Sequence, residues 1–334
     1  MDREIVLSVE NVVTEFQTDE GTVRVLDGVS FQVPKGKTIG IVGESGCGKS
    51  VTSMSIMGLL PKPYGNVVSG RILYGDTDLI QLSPDKLYEM RGNRISMIFQ
   101  DPMTALNPVH TIGKQINEVL ELHRPDFDKK QRLAYSLEML EKVGIPSPES
   151  RLHEYPHNLS GGMRQRVMIA IALACEPDIL ICDEPTTALD VTIQAQILEL
   201  MKKLQDETGM SIIFITHDLG VVAEICDEVV VMYAGRVAEQ AGIFELFDNP
   251  KHPYTQGLMA SMPSLHLKPK TELDTIPGTV PSLNEMPSGC RFSTRCKYKQ
   301  DKCEVEVPAM NQVGVLHQVS CHFSEALISN EEAK

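Results

Sequence analysis

One segment of this chain constrains it more than any other. Gly43-Glu-Ser-Gly-Cys-Gly-Lys49-Ser50 matches G-x-x-x-x-G-K-[ST] at every fixed position. An apolar run, Lys37–Val42, leads into it, and the proline-free stretch Lys49–Gly58 follows with good helix formers. Strand, glycine loop and helix in that order form a cradle for phosphate. The glycines let backbone N–H groups turn inward, and the helix aims its positive end at the bound anion. Gly43, Ser45, Gly46, Cys47, Gly48, Lys49, Ser50 and Val51 are therefore the candidate phosphate contacts. Lys49 is placed to reach the β- and γ-phosphates of a nucleotide, and Ser50 to ligate Mg²⁺.

Four further segments follow in fixed order: Ile98–Pro102 (IFQDP), Leu159–Arg166 (LSGGMRQR), Ile179–Asp190 (ILICDEPTTALD) and Ile215–Asp218 (ITHD). Asp183 closes an apolar strand, where its carboxylate can hold Mg²⁺ directly or through water. Glu184 comes next and points to a different side of the chain, placed to polarise a water that attacks the γ-phosphate. Gln100 ends the run ISMIF and can touch Mg²⁺ or that water. His217 ends SIIFIT, where its imidazole can hydrogen-bond the γ-phosphate. Ser160 can cap a helix beginning near Met163, and the amides of Gly161 and Gly162 make a second anion site there. A chain with one phosphate loop needs no second for its own nucleotide. The economical reading is that Ser160 completes another subunit's site, giving a head-to-tail dimer around two ATP molecules, with Asp190 at the seam.

Composition narrows the class. Of 334 residues, 42% are hydrophobic, an ordinary globular share. No apolar run approaches the roughly 18–20 residues needed to cross a bilayer. The opening MDREIVLSVE is charged and strand-like rather than a signal peptide. A cytoplasmic chain is expected, with any membrane role exerted through partners. The formal net charge of −14 and the absence of Trp argue against nucleic acid as a partner.

Val6–Val13, Thr22–Asp27, Ser30–Val33, Ser69–Tyr74 and Ile95–Phe99 read as strands, with Asp27-Gly28 as a turn and a short helix at Pro84–Met90. Between about 102 and 175 the period becomes helical, notably in Gln115–His123 and Lys129–Val143. Strand and helix then alternate: Ile179–Cys182, Val191–Glu207, Ser211–Thr216, Leu219–Cys226, Glu228–Tyr233. Such alternation implies a largely parallel sheet covered on both faces. Beyond about Pro250 the pattern gives way to a proline-rich, loop-rich extension with little apolar surface, for which a metal staple is expected.

Residues from about 4 to 250 resemble the nucleotide-binding domain of ATP-binding-cassette (ABC) transporters. The resemblance implies an α/β fold of the P-loop NTPase type, with a mixed sheet core in residues 1–250, a helical subdomain at about 102–175, and an extension over 251–334. It implies a P-loop at Gly43–Ser50, a Q-loop at Gln100, a signature at Leu159–Met163, a catalytic Glu184, a D-loop at Ala188–Asp190 and a switch His217. Phe16 lies where that family sets an aromatic ring against adenine, with a buried strand-end phenylalanine as the alternative. Met163 departs from the usual Gln of the signature.

The tail motifs His252–Leu258, Ile276–Gly278 and Gly289–Phe292 resemble the C-terminal extension of ATPase subunits of dipeptide and oligopeptide importers. Nickel importers share parts of it. The implied role is ATP hydrolysis at the cytoplasmic face of a membrane. The implied partners are a second, related ATPase (or another copy of this chain), two transmembrane permeases and an extracytoplasmic peptide-binding protein. A soluble ABC ATPase is the rival, against which stand the single cassette and the lack of extended heptads.

Eight cysteines fall into two groups. Cys175, Cys182 and Cys226 read as small core residues. Cys47, at a helix start, could be an acidified thiol or simply a small loop residue. Cys290, Cys296, Cys303 and Cys321 follow C-x5-C-x6-C-x17-C. Zinc ribbons favour closer pairs, while an iron–sulfur cube accepts wider spacing. Resemblance to the peptide-importer subunits implies a [4Fe–4S] cluster, with Zn²⁺ or free thiols as alternatives.

Overall fold

The computed structural model describes residues 3–101, 105–187, 189–262 and 274–324. By its internal contacts the chain divides into two units: Met1–Leu7, Val33–Thr38 and Tyr74–Ile215 in the first, and Ser8–Gln32, Ile39–Leu73 and Thr216–Lys334 in the second. The strands along the chain are β1 (Ile5–Thr18), β2 (Gly21–Pro34), β3 (Thr38–Val42), β4 (Gly65–Tyr74), β5 (Thr77–Asp78), β6 (Ile95–Ile98), β7 (Ile179–Asp183), β8 (Ser211–Thr216), β9 (Glu228–Tyr233), β10 (Arg236–Gly242), β11 (Asn311–Gln312) and β12 (Gln318–Val319).

In the first unit β6, β7 and β8 run parallel, with Ile95 opposite Ile179 and Ile179 opposite Ser211. Every residue of these strands is buried. Short, unbroken apolar runs are what a parallel strand covered on both faces requires. The parallel sense puts the three strand ends on one edge, and that decides where Gln100 and Glu184 fall. Helices supply the rest. Ile112–His123 buries Ile112, Ile116 and Leu120 at four-residue spacing, one face of a helix. It packs on Lys129–Lys142 and Gly161–Leu173, which also touch each other. Truncating one such core isoleucine to Ala costs about 2–5 kcal/mol. Three helix starts are fixed by a side chain: Thr111 accepts from Lys114 N–H, Asp128 forms a capping box with Gln131, and Asp190 accepts from Thr192 and Ile193 N–H.

In the second unit one sheet has the order β11-β12-β10-β9-β3, with β3 parallel to β9 and β10 antiparallel to it. The other sheet runs β2-β1-β4. So the strands form mixed sheets, as the α/β reading expects.

Several local expectations differ from what is found. Asp27-Gly28 is no turn: β2 runs through it. Asp27 N–H donates to Gly235 O at 2.9 Å, so the pairing that continues the chain's direction there is long-range and invisible locally. Strand β10 escapes the sequence reading, though its signal was present. Ala234 and Gly235 both have positive φ, 47° and 81°, as a tight hairpin between β9 and β10 requires. The extension also holds more structure than expected. It contains the helices Pro253–Ala260 and Asp301–Val305 and the β11–β12 hairpin. Residues 263–273, including Pro263 and Pro269, lie outside the described residues.

Candidate functional site

The glycine loop lies between β3 and the helix Lys49–Met57, both in the second unit. Gly43 has φ 151°, and a Cβ there would come within 2.2 Å of Met232 O. Only glycine lets the chain pass β9 at that distance. The helix begins with no side-chain cap, and a helix N-terminus is a ready site for an anion. Lys49 is only 6% exposed. Its Nζ donates to Gly43 O at 2.8 Å and Glu44 O at 3.2 Å, folding the ammonium back over the loop. A phosphate entering the loop replaces these two carbonyls with oxygens of higher charge. Ser45 and Gly46 are exposed, Ser50 and Val51 half-buried, and Gly48 buried.

Cys47 is buried within the loop, and burial pushes its thiol up from the ordinary value, outweighing the Lys49 charge. It is a small loop residue and no acidified nucleophile. Burial likewise raises the Cys226 thiol, and raises that of Cys175 to about 11. Phe16 is half-buried in β1, and its ring leaves no room for a side chain at Gly65, where a Cβ would sit 2.9 Å from Phe16 Cε1. His217 is exposed at the end of β8. The next residue, Asp218, caps Leu219–Ile225 by accepting from Gly220 N–H at 2.8 Å.

In the first unit Asp183 ends β7 and is 4% exposed. Glu184 takes φ 47°, a left-handed backbone unusual for a residue with a side chain. Such strain costs of order 1–3 kcal/mol and gathers where side chains must be aimed. Glu184 N–H is tied to Ile215 O at 2.9 Å. Two neutral donors converge on Glu184 Oε2: Gln100 Nε2 at 3.1 Å and Thr187 Oγ1 at 3.1 Å. The structure thus brings the two expected residues Gln100 and Glu184 into direct contact. It adds Thr187, which sequence reasoning passed over although a hydroxyl three residues after an acid is well placed to return to it. Ser160 caps Gly161–Leu173, accepting from Met163 N–H at 3.4 Å, and it is exposed, as is Gly161. Gly162 is half-buried against Ile193. Asp190 is exposed and caps Val191–Thr208. Ala188, in the expected D-loop, lies outside the described residues, as do residues 102–104 after Gln100.

The extension leaves one expectation without support. Cys290, Cys296, Cys303 and Cys321 are free thiols that line one small cavity of about 20 Å³ together with His252 and Phe292. Among the described residues no group of three or more His, Cys, Asp or Glu side chains is arranged to hold a metal ion. The metal staple, whether [4Fe–4S] or Zn²⁺, is therefore not supported by the arrangement of these thiols. Burial pushes all three of Cys290, Cys296 and Cys321 up, the last to about 11. What holds the extension is visible without a metal. Glu239, fully buried, accepts from Lys251 N–H at 2.6 Å and His252 N–H at 2.9 Å, and pairs with His317 Nε2 at 2.6 Å. Burial lowers His252 to about 4, so its neutral Nδ1 accepts from Tyr254 N–H at 3.0 Å and starts the helix Pro253–Ala260. Phe292 packs edge-on to Tyr233, with centroids 5.1 Å apart. Asp27 pairs with Arg236 and Arg291, each at 2.6 Å. Burial pushes the Asp27 carboxyl up, but the Arg236 hydrogen bond and both guanidinium charges hold it below its usual value.

Among the described residues no helix is long and apolar enough to cross a membrane. The ABC transporter family pattern matches residues 26–187, and that of the oligopeptide/dipeptide transporter C-terminal region matches residues 238–303. The chain is 54% identical over 322 residues to the dipeptide transport ATP-binding protein DppD of Bacillus subtilis (strain 168), covering 96% of each. It is 52% identical over 313 residues to the oligopeptide transport ATP-binding protein OppD of the same organism, covering 94% of this chain and 87% of that one. Among solved structures it resembles the dimeric structure of MJ0796, a bacterial ABC transporter cassette, with a TM-score of 0.63 and 29% identity over 71% of this chain and 98% of that one. The same cassette in a post-hydrolysis state bound to ADP and Pi matches with the same TM-score of 0.63. With a glycine loop seated on β9, a strained glutamate gripped by two donors, and relatives matched over almost its whole length, the chain belongs to the family of ABC transporter ATP-binding proteins, in the branch that carries the oligopeptide/dipeptide transporter C-terminal region.

Proposed function

We propose that this chain is the ATP-hydrolysing subunit of an ABC importer for dipeptides or oligopeptides. The observation that carries the reading is the seating of Lys49: a buried ammonium held by the carbonyls of a glycine loop, at the start of a helix with no side-chain cap. Gly43, Ser45, Gly46, Cys47, Gly48, Lys49, Ser50 and Val51 receive the phosphates, and Phe16 the adenine. Ser50, Gln100 and Asp183 offer the hard oxygen ligands that Mg²⁺ takes; the ion, when bound, offsets charge on the β- and γ-phosphates. Glu184 accepts a proton from the attacking water, Gln100 and Thr187 fix its carboxylate, and His217 bonds the γ-phosphate.

Ser160, Gly161, Gly162 and Asp190 serve the nucleotide of a second cassette, either a related ATPase or another copy of this chain. Two transmembrane permeases and an extracytoplasmic peptide-binding protein complete the importer, with this chain peripheral at the cytoplasmic face. Residues 1–250 act as the cassette, with a helical subdomain at about 102–175, and 251–334 as the extension. Uptake of labelled peptide in cells lacking this chain tests the reading. Wild-type chain is expected to restore uptake, and restoration of nickel uptake alone would overturn the peptide assignment.

For the extension, a [4Fe–4S] cluster on Cys290, Cys296, Cys303 and Cys321 is the finer proposal, Zn²⁺ the alternative. Its support is a set of four thiols lining one cavity. Iron and sulfide assays on anaerobically purified protein are expected to find both. Stoichiometric zinc without sulfide would exclude the cluster.

A further inference from the structure

The extension reaches the phosphate loop through residues that no motif assigns to nucleotide binding. Arg295 is almost fully buried, its side chain 4% exposed. Its guanidinium forks onto the carboxylate of Glu44, the second residue of the loop, with Nη1 at 2.6 Å from Oε2 and Nη2 at 3.0 Å from Oε1. Its Nε donates to Pro277 O at 2.9 Å, so the fork is fixed from behind. Two parallel charge-assisted bonds define position as well as energy. Tyr254 adds a second hold. It is fully buried, and its hydroxyl accepts from Glu44 N–H at 2.9 Å. Its ring is wedged between Tyr233, 4.7 Å away, and Phe292, 5.4 Å away. Glu44 O in turn is one of the two carbonyls that hold Lys49 Nζ. A continuous chain of bonds therefore runs from the extension, through Glu44, to the ammonium that meets the phosphates.

We infer that Arg295 and Tyr254 are positioning residues for the phosphate loop, so that the C-terminal extension is a built part of the ATP site and sets its affinity. The inference rests on the proposed role of Gly43–Ser50 in ATP binding. It has a chemical logic. Glu44 places a carboxylate in a loop meant for anions, where unpaired it would repel a triphosphate. Arg295 neutralises it and at the same time fixes the loop's turn. The segment that carries Arg295 also carries Cys290, Arg291 and Cys296. Arg291 bonds Ala234 O and Asp27, fixing the same segment to the β9–β10 turn. Cys296 adjoins Arg295 in the chain.

The test is equilibrium binding of a fluorescent ATP analogue to the full-length chain, alongside its thermal unfolding without nucleotide. Arg295→Met and Glu44→Lys are each expected to change affinity, but a double-mutant cycle reads the contact most cleanly. Arg295→Met is expected to weaken ATP binding roughly 5- to 30-fold, below the full scale of a lost charged bond because Arg295 acts on the phosphates only through Glu44. Glu44→Gln removes the repelling charge with the need for its partner, so Arg295→Met/Glu44→Gln is expected to recover most of that loss. Arg295→Lys should fall between wild type and Met, and Tyr254→Phe should weaken binding in the same direction by less. Val315→Ser, on the exposed β11–β12 hairpin, serves as the control with unchanged affinity. If Arg295→Met lowers the unfolding temperature while ATP affinity stays within about twofold, Arg295 is a structural latch only and the inference is overturned. The Glu44→Gln chain, altered at a partly exposed loop position, keeps the cycle readable if Arg295→Met alone fails to fold: additive effects of Glu44→Gln and Arg295→Lys would equally overturn it. A wild-type chain that binds no ATP would bring down the parent reading and the clamp with it, a result separable from the others.

Discussion

Glu184→Gln is expected to keep ATP and stop turning it over, with kcat for phosphate release down roughly 10²–10⁴-fold, the ordinary contribution of a positioned base. The geometry says why affinity survives. Gln100 Nε2 and Thr187 Oγ1 both donate to Glu184 Oε2, and a glutamine in that place still presents an oxygen to accept them. The left-handed turn at φ 47° belongs to the backbone and is common to both side chains. Only the capacity to take a proton from water disappears. ATP affinity is expected within a few-fold of wild type. Phosphate release at the wild-type rate would remove Glu184 from the proposed role, and loss of ATP binding would show that the substitution disturbs the loop instead.

Lys49→Met is expected to act on the other quantity. Methionine keeps most of the stem's length and apolar contact but donates nothing. Each charge-assisted bond to phosphate is worth about 1.5–3 kcal/mol, so ATP affinity is expected to fall roughly 10- to 100-fold, again by equilibrium binding. Loss of the bonds to Gly43 O and Glu44 O also frees the loop, and a modest drop in unfolding temperature without nucleotide should accompany it. Affinity unchanged in a folded Lys49→Met chain would contradict the assignment of the loop.

How much of this was legible beforehand divides along physical lines. Elements whose cause is local were readable. The apolar runs of β7, β8 and β9 declare parallel strands buried on both faces, and Ser160 declares a helix start. Gln100 and Glu184 each stand just past the end of such a run, which marks both in the sequence. Their contact is not marked there, because it depends on the register of β6 against β7. The misses share that cause. β2 continues through Asp27-Gly28 because Gly235 and Arg236, far along the chain, bond Asp27. Arg295 and Tyr254 carry no local sign that they face the glycine loop; a buried arginine looks, in sequence, like any surface cation. The extension is poor in apolar residues, which in sequence suggests a metal staple. Sequence alone does not reveal Glu239, a buried carboxylate that gathers two backbone amides and His317, or the cluster of Tyr233, Tyr254 and Phe292. Partnered polar groups and packed aromatic rings can replace part of a missing aliphatic core, and a count of apolar residues cannot see it.

The proposal that two cassettes grip nucleotide between them meets its most direct test in a structure of the Glu184→Gln chain, loaded with Mg·ATP and its second cassette. The expected result is Ser160 Oγ within about 3 Å, an ordinary hydrogen-bond distance, of a γ-phosphate oxygen held by the partner's glycine loop. ATP bound on Gly43–Ser50 with Ser160 far from every γ-phosphate in the assembly would contradict it.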